Sequence, residues 1–199
     1  EQYVQVAEAV CAAAIASAIE LNVSCPNVKQ GGLAFGKDCD TLKAVVSAVR
    51  QKCTLPLWVK LTPNVTDIGS LARAAEEAGA DALVAVNTFV GMALDIERGA
   101  PALGNRIGGL SGPAIKPLAL YAVDQVVRAT GIPVVAVGGI SSGRDALEFM
   151  ALGAVAFQIG TSLMIDPCCP LAILSEMQEI LAEKGLSSIQ DWIGIAKAW

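Results

Sequence analysis

The segment Asn22–Asn27 (Asn-Val-Ser-Cys-Pro-Asn) brings one thiol and two side-chain amides together within six residues. It continues a short apolar run that begins at Ile19, so the pattern predicts a loop at the carboxyl end of a β-strand. A thiolate can act as a general base, and amides can hydrogen-bond a polar ligand. Cysteine is also among the most frequently buried residues, so Cys25 is a candidate either for catalysis or for packing.

Other residues suited to chemistry close later apolar runs. Lys60 nearly ends one run, and Asn87–Thr88 follows the next. The last two runs end in Gly138–Gly139 and Gly160–Thr161. Glycine leaves backbone N–H groups open to a phosphate because no Cβ stands in the way, so these two strand ends are candidates for a phosphate site. Each glycine pair alone is equally typical of a simple turn.

Composition limits the classes of protein that the chain can belong to. With 199 residues, 54% of them hydrophobic, it can form one domain with a sizeable core. The net charge is −5 and the Lys and Arg residues are scattered, which argues against a nucleic-acid partner. The uncharged stretch 9–19 is too short to cross a bilayer, which needs about 20 residues. We therefore expect a cytoplasmic protein with no membrane partner.

The six cysteines do not form a metal-binding pattern. None stands in a C-x-x-C pair, and the sequence contains no histidine. We therefore expect no zinc site and no iron–sulfur cluster in this chain. The chain has enough apolar residues to fold without disulfides, so reduced thiols are expected.

Hydrophobic periodicity alternates between helix and strand along the chain, and several helices end at a glycine. The pattern predicts helices over residues 7–19, 41–52, 66–78, 116–130, 142–152 and 171–184, and strands over 20–24, 57–61, 82–87, 133–137 and 154–159. Thr66 and Ser142 are the expected N-caps of two of these helices. Strands alternating with helices in this way form a parallel sheet. The glycine-rich connection 88–113 is long enough to predict a functional loop.

Two architectures fit this order, an open doubly wound sheet and a (β/α)8 TIM barrel. No helix opens with G-x-G-x-x-G, which weakens the dinucleotide-binding sheet. Glycine-bearing ends on the last two strands match the phosphate site that barrels place after their seventh and eighth strands. Counting back makes the Cys25 strand the fourth. We therefore expect one partial TIM-barrel domain over residues 1–199, containing barrel strands 4 to 8.

With its strands ordered in this way, the sequence resembles the dihydroorotate dehydrogenases, and among them the class 1B catalytic subunits. The matching stretches span essentially the whole chain and are 22–27, 31–36 (Gly-Gly-Leu-Ala-Phe-Gly), 59–67 (Val-Lys-Leu-Thr-Pro-Asn-Val-Thr-Asp), 87–88, 108–117 (Gly-Gly-Leu-Ser-Gly-Pro-Ala-Ile-Lys-Pro), 138–139 and 160–161. Each stretch alone is weak. All of them in order, at predicted strand ends or in the following loops, make a specific signal.

The resemblance implies a role for each of these positions. Cys25 would be the catalytic base, removing the C5 proton of dihydroorotate while the C6 hydride passes to N5 of FMN. The substrate would be held by Asn22, Asn27, Asn87 and Thr88. The FMN would be held by Asn22, Lys60, Val86, Gly112, Gly138, Gly139, Gly160 and Thr161. Lys60 would place a positive charge beside the flavin ring and stabilise its reduced anionic form.

The resemblance also implies partners. The product would be orotate, for de novo pyrimidine (UMP) biosynthesis. We expect a homodimer and a second subunit that carries FAD and a [2Fe–2S] cluster and passes electrons to NAD. The family's first three strands have no counterpart in this sequence, so we expect either a piece of a longer protein or a truncated one, and the activity of the chain alone is open.

Three alternatives remain at this point. One is a flavin domain like that of dihydropyrimidine dehydrogenase, which shares the stretch 60–68 but typically has His at the position of Asn27 and Arg at that of Lys116. Another is a flavin-free barrel, such as an aldolase or synthase, whose glycine pairs hold a substrate phosphate. The third is a non-catalytic fragment.

Overall fold

The computed structural model describes residues 1–23 and 36–198, except for the side chains of residues 197 and 198. The helices are α1 (Gln2–Ala13), α2 (Cys39–Arg50), α3 (Ile68–Glu77), α4 (Lys116–Ala129), α5 (Gly143–Ala151), α6 (Thr161–Ile165) and α7 (Cys169–Glu183). The strands are β1 (Ile19–Asn22), β2 (Leu57–Leu61), β3 (Ala82–Ala85), β4 (Phe89–Gly91), β5 (Leu94–Asp95), β6 (Ala100–Pro101), β7 (Gly108–Leu110), β8 (Val134–Val137) and β9 (Ala156–Gln158). Three short 3-10 helices cover Pro113–Ile115, Ile189–Asp191 and Ile195–Ala198.

Five strands form one sheet in the order β1-β2-β3-β8-β9, and every pair in it is parallel. All five predicted strands are therefore present, and the parallel α/β prediction is confirmed. Their carboxyl ends lie at one edge of the sheet. That edge is where the sequence places its candidate site residues.

The sheet is curved as a partial barrel. Gln158 on β9 donates a hydrogen bond from Nε2 to Oε2 of Glu20 on β1, over 2.6 Å. These strands lie at opposite ends of the sheet order. In a flat sheet they would be about 19 Å apart, which is four strand spacings and more than two such side chains can bridge. The sheet therefore bends until its two outer strands face each other.

The two faces of the sheet have different surroundings. One face carries Leu21, Val59 and Leu83, which lie in the main hydrophobic core with buried residues of the helices. The opposite face carries the alternate residues, among them Glu20 and Lys60, because side chains alternate along a strand. In a closed barrel this second face is the interior.

Side-chain caps explain where several helices begin. Asp38 accepts a hydrogen bond from the Thr41 backbone N–H at the start of α2, and Ser142 accepts one from Asp145 at the start of α5. The prediction for Ser142 is confirmed. The N-cap of α3 is Asp67 and not Thr66, because the Asp67 carboxylate accepts the hydrogen bond from the Ser70 N–H.

Helix α1 differs most from its predicted range. It ends at Ala13, with Ala14 in the left-handed conformation, whereas the alanine-rich composition favoured a helix through residue 19. Tertiary pairing overrides local propensity here, because Ile19 pairs with Leu57 in the sheet. The short helix α6 was not predicted, since its five residues are too few for a periodic pattern.

The connection 88–113 contains structure that the sequence did not reveal. It forms two antiparallel ribbons, β4 with β7 and β5 with β6, whose strands are two or three residues long. Strands this short give no alternating pattern. Met92, Leu94 and Ile96 in this connection are 54%, 60% and 84% exposed, so it presents apolar side chains to the surroundings.

Candidate active site

The ends of β1 and β3 bring two predicted ligand-binding amides into contact. Asn87 donates from Nδ2 to Oδ1 of Asn22 over 3.0 Å, although 65 positions separate them in the sequence. The backbone of Asn87 is held by the end of β2, because its N–H donates to the Leu61 carbonyl over 2.9 Å. Asn22 is held in turn through its carbonyl, which accepts from the Tyr3 hydroxyl of α1 at 2.9 Å. Both amides therefore stand at the same edge of the sheet.

Lys60 lies on the inner face beside a carboxylate. Its Nζ is 3.3 Å from Oε1 of Glu20, and the two side chains are 20% and 28% exposed. The other oxygen of that carboxylate accepts from Gln158. Lys60 pairs in the sheet with Asn22, and Glu20 lies two residue pairs deeper on the same face, so the ion pair stands just below the amides.

Asn64 fixes the segment that follows β3. Its Nδ2 donates to the Thr88 carbonyl over 2.9 Å and to Thr62 Oγ1 over 3.1 Å, while its Oδ1 accepts from the Val90 N–H over 2.8 Å. Thr62 is completely buried, so the group that anchors Asn64 is itself fixed. Thr88 also donates its N–H to Asn87 Oδ1 at 2.8 Å. The Asn64 side chain therefore fixes the backbone at both Thr88 and Val90.

Sequence reasoning missed Asn64, Glu20 and Gln158. Asn64 lies inside the matched stretch 59–67, but its hydrogen bonds reach across the sheet and no local pattern reveals them. A usable signal did exist for Glu20 and Gln158. Each stands two residues before a predicted site residue, Glu20 before Asn22 and Gln158 before Gly160, and positions two apart in a strand share a face.

The glycines after β8 form a close backbone contact with the start of α4. Gly139 has φ +78°, and a Cβ there would lie 2.8 Å from the Lys116 N atom and 3.0 Å from the Gly112 carbonyl oxygen. Gly138 has φ +143°, and its Cβ would lie 2.7 Å from that of Ala119. Any larger residue would push the loop away from α4, so only glycine brings these N–H groups to this position.

The end of β9 lies beside the loop that follows β7. Thr161 begins α6 and donates from Oγ1 to Ser111 Oγ over 2.8 Å. A Cβ on Gly112 would lie 3.4 Å from the Thr161 methyl group, so the two predicted positions are neighbours. Gly160 differs from Gly112, Gly138 and Gly139, because a Cβ there would meet nothing within 4 Å. No protein atom occupies the space in which a side chain at this position would lie.

An ion cluster fixes the loop between β8 and α5 (residues 138–142), which we call the glycine loop. Lys116 Nζ is 2.7 Å from Asp145 Oδ1 and 2.9 Å from Glu148 Oε2. Asp145 also accepts from the N–H and the hydroxyl of Ser141, both at 2.9 Å. Burial alone would raise the pKa of Asp145, but these hydrogen bonds outweigh it and lower the pKa to about 2. The same carboxylates raise the pKa of Lys116.

The remaining predicted positions fall into two groups. Val86 is buried and donates its N–H to the Val137 carbonyl over 2.8 Å, so it lies between the end of β3 and the glycine loop. The Ala85–Val86 peptide bond is cis. Cys25 and Asn27 lie outside the described residues. The structure therefore assembles Asn22, Lys60, Val86, Asn87, Thr88 and the glycine positions along one edge, and the roles of all these residues stay predictions.

Within residues 1–23 and 36–198, no group of three or more His, Cys, Asp or Glu side chains could hold a metal ion. In the same ranges, no helix is long and apolar enough to cross a membrane.

Comparison with known proteins identifies the family. The sequence model of the family described as dihydroorotate dehydrogenase matches residues 1–181. Curated proteins named dihydroorotate dehydrogenase B (NAD(+)), catalytic subunit, are 50% identical in Trichlorobacter lovleyi and 49% identical in Geobacter sp. (strain M21), each over 194 residues and 98% of this chain. The relative from Geobacillus kaustophilus is 46% identical over the whole chain.

The chain spans only part of these relatives, 64% of the first two and 63% of the third. Among solved structures, DHODH from Eimeria tenella in complex with ferulenol is similar with a TM-score of 0.76 and 26% identity, over 92% of this chain and 54% of that one. This agrees with the prediction of an incomplete (β/α)8 barrel. The chain belongs to the dihydroorotate dehydrogenase family.

Proposed function

We propose that this chain forms the FMN- and substrate-binding edge of an enzyme that oxidises dihydroorotate to orotate in pyrimidine biosynthesis. The observation that carries the proposal is the contact between Asn22 and Asn87, directly above the ion pair of Lys60. Two adjacent amides can bind one planar, polar ring from the same side. Members of this family are flavin-dependent, and the family is established by the sequence.

The glycine loop fits the phosphate end of FMN. Gly139 packs directly on the backbone at Gly112 and Lys116, which brings the loops after β7 and β8 together without side chains between them. Gly160 stands immediately before α6, and a Cβ there would meet nothing within 4 Å, so a phosphate could approach its backbone. Barrels commonly hold phosphate at this place, after the seventh and eighth strands. When bound, FMN would supply a hydride acceptor.

The chain's own residues would orient the substrate and move its proton. Asn22, Asn27, Asn87 and Thr88 would hydrogen-bond the pyrimidine, with Asn64 holding Thr88 in position. Cys25 would take the C5 proton. Because a free thiol has a pKa of about 8.5, turnover should rise with pH until the thiolate is fully formed.

Lys60 would supply positive charge beside the flavin ring. Glu20 partly compensates that charge through its contact at 3.3 Å, and Gln158 keeps the carboxylate from turning away. We propose that this pair sets how strongly the site favours the reduced, anionic form of the flavin. The position of Glu20 on the inner face, two residue pairs below Asn22, supports this role.

We also propose the partners that the resemblance implies. The relatives are named catalytic subunits of an NAD(+) enzyme, which supports an electron-transfer subunit carrying FAD and a [2Fe–2S] cluster. The exposed apolar side chains Met92, Leu94 and Ile96 support a protein contact at the ribbons, and we assign it to a second copy of the chain. The molecular mass of the protein in solution tests the dimer. Replacing Met92, Leu94 and Ile96 together by Ser should yield monomers.

A flavin-binding measurement tests the cofactor. The purified protein, incubated with FMN and passed through a desalting column, should retain a flavin absorption spectrum. A protein that stays colourless after this treatment would overturn the flavin proposal, and phosphate binding without flavin would favour the flavin-free barrel. Lys60→Ala should weaken FMN retention or slow FMN reduction, whereas Cys25→Ala should retain FMN and lose turnover.

A further inference from the structure

Two cysteines outside the candidate active site lie close enough to react with each other. The Sγ atoms of Cys11 on α1 and Cys53, just after α2, are 3.3 Å apart and share a hydrogen bond. A disulfide needs about 2.05 Å, so the sulfurs must approach by about 1.2 Å. Both cysteines are free thiols in this structure. No part of the proposed flavin chemistry uses them.

Cys53 is fixed to the framework of the domain. Its backbone N–H donates to the Val49 carbonyl over 2.9 Å, and its own carbonyl accepts from Arg50 Nη2. The same guanidinium is paired with Asp81 at 2.8 Å. The Cys53 side chain is buried, at 3% exposure of the residue. Any movement that joins the two sulfurs therefore belongs to Cys11.

Helix α1, which carries Cys11, is lightly anchored. The Tyr3 hydroxyl donates to the Asn22 carbonyl, but only Ala7 of this helix is buried, and the ion pair of Glu8 with Lys52 is exposed and 3.8 Å long. Such a pair contributes little to holding the helix in place. A change of the Cys11 rotamer together with a small shift of α1 can supply the missing approach.

The two thiols differ in the way that a reactive pair requires. Cys11 is half-buried at the edge of the core, whereas Cys53 is buried. The hydrogen bond shared with Cys53 lowers the pKa of Cys11, and burial raises the pKa of Cys53. An accessible thiol with the lower pKa attacks first, and a buried neighbour then resolves the product.

We propose that Cys11 and Cys53 form an oxidation site that takes small-molecule disulfides. The Cys11 thiolate attacks one sulfur of the disulfide, whose S–S bond breaks and releases one thiolate. The Cys53 thiol then loses its proton and attacks Sγ of Cys11, which releases the second thiolate. The two protein thiols are oxidised by two electrons, and the small disulfide is reduced to two thiols. The product ties α1, and with it the Tyr3 hydroxyl that holds Asn22, to the end of α2.

Peptide mapping tests the proposal. The reduced protein is exposed to glutathione disulfide, its remaining thiols are alkylated, and it is cut with trypsin and a glutamyl endopeptidase without reduction. This places Cys11 in peptide 9–20, Cys25 in 21–29, Cys39 in 38–43 and Cys53 in 53–60. The expected product is peptide 9–20 joined to 53–60, lighter than the sum of the reduced peptides by two hydrogens.

Two variants control the experiment. Cys11→Ser should leave Cys53 alkylated after the treatment, whereas Cys39→Ser, at another half-buried cysteine, should leave the cross-link unchanged. The proposal is overturned if the wild-type protein keeps Cys53 alkylated, if Cys11 carries only glutathione, or if the cross-link joins either cysteine to a different partner.

Discussion

Replacing Gly139 by alanine should destabilise the protein strongly. The backbone there has φ +78°, where alanine costs about 1–2 kcal/mol relative to glycine. The new Cβ would also lie 2.8 Å from the Lys116 N atom and 3.0 Å from the Gly112 carbonyl oxygen. Such overpacking against backbone costs a further ~1–3 kcal/mol. The expected loss is therefore about 2–5 kcal/mol, or a fall in Tm of about 4–20 °C for a chain of this length.

Gly160→Ala is the matched control for this prediction. Gly160 has φ −113°, and a Cβ there would meet nothing within 4 Å. The substitution should change stability by less than about 1 kcal/mol, because the new methyl group would contact no other atom. Chemical denaturation of both variants and the wild type measures the difference. If the two variants agree within about 0.5 kcal/mol, the close contact between the glycine loop and α4 is refuted.

Three further predictions concern side chains. The pKa of Asp145 in the folded state is about 2, below its ordinary 3.8, so the stability that its carboxylate contributes is present above pH 3.8 and lost as the pH falls to about 2. Asp145→Asn should remove about 2 kcal/mol of this pH dependence. An acid-unfolding curve unchanged from the wild type would contradict the prediction. Asn64→Ala should lower the free energy of unfolding in urea by about 1–3 kcal/mol, because the Thr88 carbonyl loses its donor. The control Asn105→Ala, at an exposed position, should lower it by less than about 0.5 kcal/mol. Equal losses would refute the role of Asn64 in holding Thr88. Glu20→Gln should raise the midpoint potential of bound FMN because the charge of Lys60 is then uncompensated, and a potential unchanged from the wild type would remove the role of Glu20.

The sequence predicted the parts of the fold that depend on local pattern. The apolar run 57–61 became β2 with the predicted bounds, and Ser142 caps α5 as expected. The site edge was predictable for a related reason. Once the strands are known to be parallel, their carboxyl ends must lie together, so Asn22 and Asn87 were expected at one edge before their contact was seen.

The features that were missed depend on contacts between distant segments. Residues 14–18 leave the helical conformation because the neighbouring Ile19 joins the sheet, which no local propensity indicates. The two ribbons between residues 89 and 110 are formed by pairing between short antiparallel strands, which leave no periodic pattern in the sequence. The hydrogen bonds of Asn64 and the pair of Glu20 with Lys60 arise only when the sheet curves and brings separate loops and strands together.

The most direct test of the central proposal is the response of the FMN-loaded protein to dihydroorotate in the absence of oxygen. The account predicts that the flavin absorption bleaches, and that Cys25→Ala binds the same amount of FMN but bleaches far more slowly. If dihydroorotate leaves the spectrum of the FMN-loaded wild-type protein unchanged, or if Cys25→Ala bleaches at the wild-type rate, the proposed reaction or its assigned base is contradicted.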